Sequence, residues 1–479
     1  MGGRVIGFSI EEIARLTGGT LDQVADPALI VSGPVVIDSR HAAPGALFAA
    51  LPGERVDGHD FAGQAVAAGA ALVLGTRPTG AASLIVPDVP AALARLARAL
   101  VDRLPDLTIA GITGSAGKTT TKDLVAQLTA TLGPTVSPRN SFNNEIGHPL
   151  TVLRADENTR YLIAEMSARG LGHIAALCQI SPPSLGVVLC VGNAHAGEYT
   201  GIEQIAQAKS ELPAALPAGG VALLNADDPL VARMAQVTAA RVVTFGQSAG
   251  ADVRATGIEL DRLGRPRFTL TAPAGSARVA LRLSGAHNVT NALAAAALAG
   301  ELGLPIDAIA AGLCDAVATS HWRMEVTERA DGVIVVNDAY NSSPEALAAA
   351  LEAVRVIASG RRAYAVLGRM AELGERSDAF HEQAGVIAAN TGLAGIIAVG
   401  DEAAPILTGA KSDPDYDGEL VAVPDDQSAV AAVTQRLQPG DVVLVKASRA
   451  AGLQTVALAL TGVLARGTTP ETPAQEAGS

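Results

Sequence analysis

At 479 residues, 49% hydrophobic and 17% charged, the chain is long enough for two to four domains, each with a full apolar core. A formal net charge of −13 argues against duplex nucleic acid or an anionic membrane surface as a partner. No run reaches the roughly 18 apolar residues that span a bilayer, the N-terminal segment lacks the apolar core of an export signal, and Cys178, Cys190 and Cys314 have no metal-type spacing, so a cytoplasmic protein with reduced thiols is expected.

The residue pattern falls into three blocks of an α/β protein. Residues 1–105 read as a small α/β domain, with strands at 28–37, 47–50, 71–74 and 84–86 and helices at 9–17 and 90–104. Residues 106–318 alternate short apolar runs (108–111, 161–164, 185–191, 221–224 and 242–245) with helical patterns, as a mostly parallel sheet demands. Between 251 and 284 the period drops toward two and turn residues multiply, which predicts a small antiparallel patch; a helix over 288–302 closes the block. Residues 319–466 read as a C-terminal Rossmann-like α/β domain with strands at 333–337, 362–367, 395–399 and 441–445 and helices at 344–357, 378–390 and 428–436. Residues 467–479, rich in Pro, Thr and Glu, read as a disordered tail. Two nucleotide-type domains behind a smaller one place ligands in a cleft between domains.

Residues 111–120, Gly-Ile-Thr-Gly-Ser-Ala-Gly-Lys-Thr-Thr, carry the strongest signal. They follow an apolar run (Leu107, Ile109, Ala110) and precede Leu124, Val125, Leu128 and Leu132 at helical spacing. That strand–turn–helix setting is what a phosphate loop requires. Gly114, Ser115, Ala116 and Gly117 offer backbone N–H groups to phosphate oxygens, the helix N-terminus adds positive potential, and Lys118 supplies a point charge. Thr119 is placed to give its hydroxyl to Mg²⁺, and Thr120 completes the ATP-binding loop. Ile112 stands where the strict pattern has glycine, and the plainer alternative is a Gly-rich strand–helix turn.

Only five of the 35 basic residues are lysine (Lys118, Lys122, Lys209, Lys411 and Lys446). A lysine in a motif-like setting is therefore less readily dismissed as surface charge. Glu165 ends the run 161–164, where a carboxylate can reach a metal on the phosphates; a helix cap or surface ion pair is the alternative. His195 follows the next run on the same rim, although a lone histidine is more often structural. Lys209 lies in a helical stretch, and an ammonium turned toward Mg²⁺ would be repelled. Such a lysine must lose its proton or be modified, and a carbamate would make it an oxygen ligand for a hard cation. Asn288 and Asn291 open the helix over 288–302, where an amide caps the helix or reads a purine edge. Arg323 and then Asp338 follow, the latter at a strand end where carboxylates grip ribose hydroxyls.

Four further stretches extend these features: Ile37-Asp38-Ser39-Arg40 with the segments 45–53 and 57–61; Ser-Phe-Asn-Asn-Glu-Ile-Gly-His-Pro-Leu at 141–150; Asn337 to Pro344; and Val-Lys-Ala-Ser-Arg at 445–449. Together the chain resembles, over nearly its whole length, the Mur ligases, ATP-dependent amide-forming enzymes of peptidoglycan assembly. A phosphate loop without the outer glycine is a trait of that family. The stretch 337–344 is most similar to the branch that joins D-alanyl-D-alanine to UDP-N-acetylmuramoyl-tripeptide; the DNPR-type motif of the sister branch is missing. The resemblance implies ATP and Mg²⁺ as cofactors, an acyl-phosphate intermediate and a monomer. It implies three domains, for UDP-substrate binding, ATP binding and ligation. It places phosphates and Mg²⁺ on Lys118 and Thr119, metal on Glu165, His195 and a carbamylated Lys209, adenine on Asn288 and Asn291, the γ-phosphate on Arg323 and the ribose on Asp338. Lys118, Lys209, His195 and Arg323 are the implied catalytic set, and Ser39, Arg40, Asn143 and Asn144 the UDP-substrate set. The sequence departs from the family at Asn341-Ser342-Ser343-Pro344, where Asn-Ala-Asn-Pro is usual, at Ser167, and at Ala447. The alternatives are a sister muramoyl or folylpolyglutamate-type ligase and a phosphate-loop regulatory ATPase.

Overall fold

The computed structural model describes residues 7–53, 56–193 and 196–462. The expected tail at 467–479 lies outside the described residues. Three larger sheets, one in each block, organise the described residues, and Phe8–Ser9 pairs antiparallel with Ile30–Val31 as a fourth, two-stranded sheet.

The N-terminal sheet has five strands in the order Thr20–Asp22, Ser83–Ile85, Leu72–Gly75, Leu47–Ala49, Val35–Val36, parallel except for the first pair. The expected strand at 28–37 is split into Ile30–Val31 and Val35–Val36. Gly33 lies between them, pressed so close to the Gly45–Ala46 backbone that a Cβ would sit 2.5 Å from Ala46 N. Two helices cover the sheet. Ile10–Thr17 is capped by Ser9, whose hydroxyl accepts from Glu12 N at 3.1 Å, and it ends at Gly18 in the left-handed region. Val89–Asp102 starts at Asp88 with Pro90 in its first turn. Their Ile10, Ile13, Leu93 and Leu96 pack on Leu47, Leu72, Leu74 and Leu84, and Leu150, Val152 and Leu162 of the next block join the same apolar cluster. Each such buried side chain contributes about 1.5–3 kcal/mol, so the N-terminal unit is fused to the central one through a common core.

The central sheet has nine strands in the order Gly275–Ala280, Pro266–Ala272, Val253–Leu260, Arg241–Gly246, Val221–Asn225, Leu185–Val188, Thr108–Thr113, Tyr161–Glu165, Thr135–Val136. The last seven are parallel, and the antiparallel patch expected at 251–284 extends their edge rather than forming a separate sheet. Glu165 pairs with Ile112, and Thr113 with Val188, so three neighbouring strands end on one rim. The strand expected at 185–191 stops at Val188, which releases Cys190 to Asn193 into that rim. Beneath the sheet, Lys118–Thr129 packs against Asn288–Glu301. The second helix is hydrophobic all round, with Leu293 to Ala299 buried, because its short alanines let neighbours approach from every side.

The C-terminal sheet has six strands in the order Glu325–Glu328, Ile334–Asp338, Val442–Lys446, Ala363–Leu367, Gly395–Val399, Glu419–Val423, and only the first pair is antiparallel. Its central runs of Val, Ile and Ala are buried on both faces, as helix-covered parallel strands require. Pro344–Ala358 and Ser377–Asn390 cover one face, Asp426–Thr434 and Gln454–Leu460 the other. The expected α/β architecture is met. No helix among the described residues is long and apolar enough to cross a membrane.

Candidate active site

A cavity of about 820 Å³ opens where the three larger sheets meet. The phosphate loop forms its floor, Ile37 represents the N-terminal unit, and Asp338, Tyr340, Glu345 and Lys446 come from the C-terminal unit.

The loop leaves the strand at Thr113 and passes Gly114 (φ 154) and Gly117 (φ 82) before the helix Lys118–Thr129 begins. Gly117 is required twice over: its φ is left-handed, and an added Cβ would collide with Asn291 Oδ1 directly behind it. Asn291 also accepts from Thr121 Oγ1 at 3.3 Å, and it donates to Asn288 Oδ1 at 2.8 Å. Asn288 in turn donates to Ser284 O. Both amides thus brace the loop from behind while lining the cavity. Ser115 Oγ donates to Gly192 O at 2.9 Å and accepts from Gly192 N at 2.8 Å, tying the loop to the neighbouring strand end.

Lys118 folds back to donate to Gly114 O at 2.7 Å. Burial pushes its pKa down, and the Glu165 carboxylate opposes that shift. Thr119 Oγ1 lies 3.2 Å from Ser141 Oγ, which also accepts from Arg323 Nη2 at 2.8 Å. Glu165 is 1% exposed. Its Oε1 accepts from Asn143 Nδ2 at 2.6 Å, whereas its buried Oε2 has no hydrogen-bond partner among the described residues. Lys209, on the helix Ile202–Ala214, is buried, and burial together with the nearby Lys118 ammonium lowers its pKa to about 7. His195 lies outside the described residues. Among the described residues no three His, Cys, Asp or Glu side chains gather into a metal-binding group. What fits a hard cation on the cavity wall is instead the lone Glu165 oxygen with the Thr119 hydroxyl, whereas Lys209 does not line the cavity and meets its charges only through the Lys118 and Cys190 side chains.

Arg323 sits on the link between the central and C-terminal sheets. Its guanidinium stacks over the Tyr340 ring at 4.2 Å, and its buried Nε lacks a partner among the described residues. The flanking Trp322 (φ 59) and Met324 (φ 50) are both left-handed, which twists the link and turns Arg323 into the cavity. The link is tied to the central unit through Asp123 Oδ2, which accepts from Ser320 N at 3.0 Å. Asp338 accepts from Met324 N at 3.0 Å and from Lys446 Nζ at 2.6 Å, so both of its oxygens are engaged. Across the mouth, Glu345 Oε1 accepts from Asn193 N at 2.6 Å, and Arg169 pairs with Glu372 at 3.2 Å; both contacts bridge the central and C-terminal units.

The structure gathers Gly117, Lys118, Thr119, Thr120, Ser115, Ala116, Glu165, Asn288, Asn291, Arg323 and Asp338 around one cavity. Gly114 and Lys209 do not line it, and the four expected UDP-substrate residues divide, two lining the cavity and two not. Ser39 is buried and bonded to Gln64 at 2.9 Å; Arg40 is exposed and paired with Asp38; neither lines the cavity. Asn143 and Asn144 both line the cavity, and the Asn143 amide donates to Glu165 Oε1. Asn144 Oδ1 accepts from Gly147 N at 2.8 Å, an Asn that starts the helix Gly147–Val152. Sequence reading missed Tyr340 and Glu345 as site residues. Tyr340 lies inside the stretch 337–344 and Glu345 directly after it, but nothing in the spacing there gave either side chain a role.

A phosphate loop that faces a cleft shared by three α/β units defines a nucleotide-dependent enzyme of multidomain ligase type. Three family descriptions match in series: Mur ligase family, catalytic domain, over residues 34–114; Mur ligase middle domain over 112–299; and Mur ligase, glutamate ligase domain over 322–449. The UDP-N-acetylmuramoyl-tripeptide–D-alanyl-D-alanine ligase of Mycobacterium tuberculosis is 47% identical over 499 aligned positions, covering 95% of this chain and 98% of that one. A crystal structure of MurF from Acinetobacter baumannii superposes with a TM-score of 0.84 at 30% identity, covering 96% and 100%. The MurF ligase of Thermotoga maritima in complex with ADP gives 0.76 at 30% identity, covering 90% and 98%. The chain belongs to the Mur ligase family.

Proposed function

We propose that this chain is a cytoplasmic, monomeric, ATP-dependent carboxylate–amine ligase that joins D-alanyl-D-alanine to UDP-N-acetylmuramoyl-tripeptide. In this reading residues 1–105 bind the UDP end, 106–318 bind ATP and 319–466 complete the ligase site. Ile37, two residues before Ser39, lines the cavity, which supports giving that end to the UDP moiety although Ser39 and Arg40 do not line it themselves. The observation that carries the reading is a pair of unsatisfied groups of opposite sign in one cavity. Glu165 Oε2 asks for a cation and Arg323 Nε for an anion, and both side chains are close enough to Lys118 to perturb its pKa.

A carboxylate resists amines because it is anionic and has no leaving group. Transfer of the γ-phosphoryl group of ATP to the tripeptide carboxylate supplies that leaving group. Several anions must then meet, so fixed positive potential dominates the chemistry. Lys118 and the helix N-terminus hold the phosphates, Arg323 takes the γ-phosphate with the Nε that has no partner among the described residues, and Asn288 and Asn291 offer what remains of their amide capacity to adenine. Asp338, held by Lys446, accepts from the ribose. Thr119, Glu165, His195 and Lys209 would hold Mg²⁺, which when bound neutralises charge on the transferring phosphoryl group. Lys209 with a pKa of about 7 presents a neutral amine; its nitrogen adds CO₂ and releases one proton, which converts a repelled ammonium into a carbamate anion. The Glu345–Asn193 and Arg169–Glu372 contacts close the C-terminal unit over this chemistry and exclude water.

The test supplies ATP, Mg²⁺, a mixture of UDP-muramoyl peptides and several amino donors, and identifies the product by mass spectrometry. Phosphate release should require both a UDP-tripeptide and D-alanyl-D-alanine, with one new amide formed. ATP turnover without an acceptor and without a new amide would instead fit a regulatory ATPase and overturn the proposal.

A further inference from the structure

Glu345 is the second residue of the helix Pro344–Ala358, and its side chain reaches from the C-terminal unit to the loop after Leu185–Val188. There Oε1 accepts from Asn193 N at 2.6 Å and from Asn193 Nδ2 at 2.8 Å. Two donors on one oxygen fix the plane of the carboxylate. The other oxygen, Oε2, is buried without a hydrogen-bond partner among the described residues, and the residue lines the large cavity. A buried carboxylate oxygen left unsatisfied is costly, so a ligand that brings a donor to it is strongly favoured.

The surroundings narrow the identity of that donor. Asp338 is engaged by Lys446 and Met324 N, and Asp123 by Lys122 and Ser320 N. Of the cavity's carboxylates, Glu165 and Glu345 each keep a buried, unsatisfied oxygen among the described residues. Glu165 lies beside Thr119's partner loop and Lys118, at the phosphate end. Glu345 lies one link from the phosphate loop: a Cβ on Gly192 would fall 2.9 Å from its carboxyl carbon, and Gly192 is doubly bonded to Ser115. It is therefore held against the rim from which an activated carboxyl group would be attacked, on the side supplied by the C-terminal unit.

We propose that Glu345 receives the acceptor amine: its Oε2 binds the N-terminal ammonium of the incoming D-amino-acyl dipeptide and takes one of its protons. The proposal rests on the ligase reading above. The ammonium gives one proton to Glu345, its freed lone pair forms the C–N bond at the acyl-phosphate carbon, and the C–O bond to phosphate breaks. The second proton leaves the nitrogen with the departing phosphate, and Glu345 returns its proton to water. A brace from Asn193 supports this role because general-base efficiency depends on holding the acceptor oxygen within hydrogen-bond reach of the nitrogen.

The test separates the two half-reactions in the full-length protein. Acyl phosphate is trapped as hydroxamate with UDP-tripeptide, ATP and hydroxylamine, and amide formation is measured against D-alanyl-D-alanine concentration and pH. Glu345→Gln keeps the shape and the acceptor for Asn193, and its folding is checked by thermal unfolding. It should trap hydroxamate at close to the wild-type rate while kcat/KM for the dipeptide falls about 100-fold, with the residual amide rate climbing as pH rises and the free amine accumulates. Glu345→Asp, which retains the charge at a shorter reach, should recover part of the loss. Wild-type kcat/KM in Glu345→Gln overturns the proposal. So does an equal loss of hydroxamate and amide, which would mean that Glu345 acts through closure or metal binding alone and not on the amine. If the wild-type protein forms hydroxamate but no amide with any dipeptide, the ligase reading itself fails, and it fails independently of either variant.

Discussion

The amide of Asn143 donates to Oε1 of Glu165 at 2.6 Å, and this bond leaves Oε2, which has no partner among the described residues, as the oxygen to meet a cation. Ser167 N donates back to Asn143 O at 3.0 Å, so the residue is clamped on both sides. Outer partners of this kind orient the group that touches the metal. Asn143→Leu should therefore lower kcat by about 10–100-fold and raise the Mg²⁺ concentration needed for half-maximal rate. The KM for the UDP-peptide should stay unchanged. A titration of phosphate release against Mg²⁺ and against UDP-peptide checks both parts; a rise confined to the UDP-peptide KM would return Asn143 to the substrate site.

Gly117 is held in the left-handed region with Asn291 against its back. In Gly117→Ala the left-handed backbone costs about 1–2 kcal/mol, and the new methyl group must also displace Asn291 or the loop. The loop is the place where strain can be released, so nucleotide affinity should suffer more than global stability. A loss of at least tenfold in ADP affinity, about 1.4 kcal/mol or more, is expected, with little change in the unfolding midpoint of the apo protein. Calorimetric titration with ADP beside urea unfolding reads the two effects separately.

His148 sets a pH dependence of stability away from the cavity's chemistry. It is 1% exposed, its Nε2 lies 2.8 Å from Ser181 Oγ, and burial lowers its pKa to about 4 from the ordinary 6.5. Between those values the unfolded chain binds the proton and the folded chain does not, so stability rises with pH across that window. The contribution is complete above about pH 6.5 and is lost as pH falls through about 4, amounting to roughly 3 kcal/mol. His148→Gln retains a polar partner for Ser181 without a titrating ring. Urea unfolding at pH 7 and pH 4.5 should show a smaller acid loss in the variant than in the wild-type protein; equal losses would place the acid sensitivity elsewhere.

Much of this molecule was legible from local pattern, for identifiable reasons. The strands in the interior of the two large sheets are short, apolar and flanked by turns, so 161–164, 221–224, 362–367 and 395–399 were visible by composition. Edge elements were not. Glu325–Glu328 and Glu419–Val423 carry charged or exposed residues, because an edge strand is buried on fewer sides, and only pairing with a neighbour makes them strands. The helix Ala404–Lys411 was hidden by its glycine, yet Gly409 and Gly385 are where it presses against Ser377–Asn390. The site divides in the same way. The phosphate loop is one contiguous segment and declares itself, whereas Ser141, Tyr340 and Glu345 act through partners far along the chain. Asn143 and Asp338 were placed at the site, but their immediate partners, Glu165 and Lys446, are tertiary facts.

Lys446 and Asp338 form the last of these tertiary relationships, and its energetics can be measured. Lys446 is 2% exposed, donates to Asp338 Oδ2 at 2.6 Å and to Asn341 O at 2.9 Å, and sits at the end of the strand Val442–Lys446 paired in register with Asp338. Asp338 Oδ1 in turn accepts from Met324 N, the residue after Arg323. Lys446→Met leaves a poorly solvated carboxylate without its cation and should destabilise the protein by about 3 kcal/mol. Adding Asp338→Leu removes the stranded charge, so the double variant should regain part of that stability, with a coupling energy of about 1–3 kcal/mol. Activity should not return, because the Leu side chain can neither hold Met324 N nor offer an acceptor to a ribose hydroxyl. Recovered stability with persistent loss of ATP affinity would mean that the pair serves the nucleotide and the Arg323 link rather than the fold. Additive losses in urea unfolding would instead show that the two side chains act independently, and that the registered pairing of their strands alone brings them together.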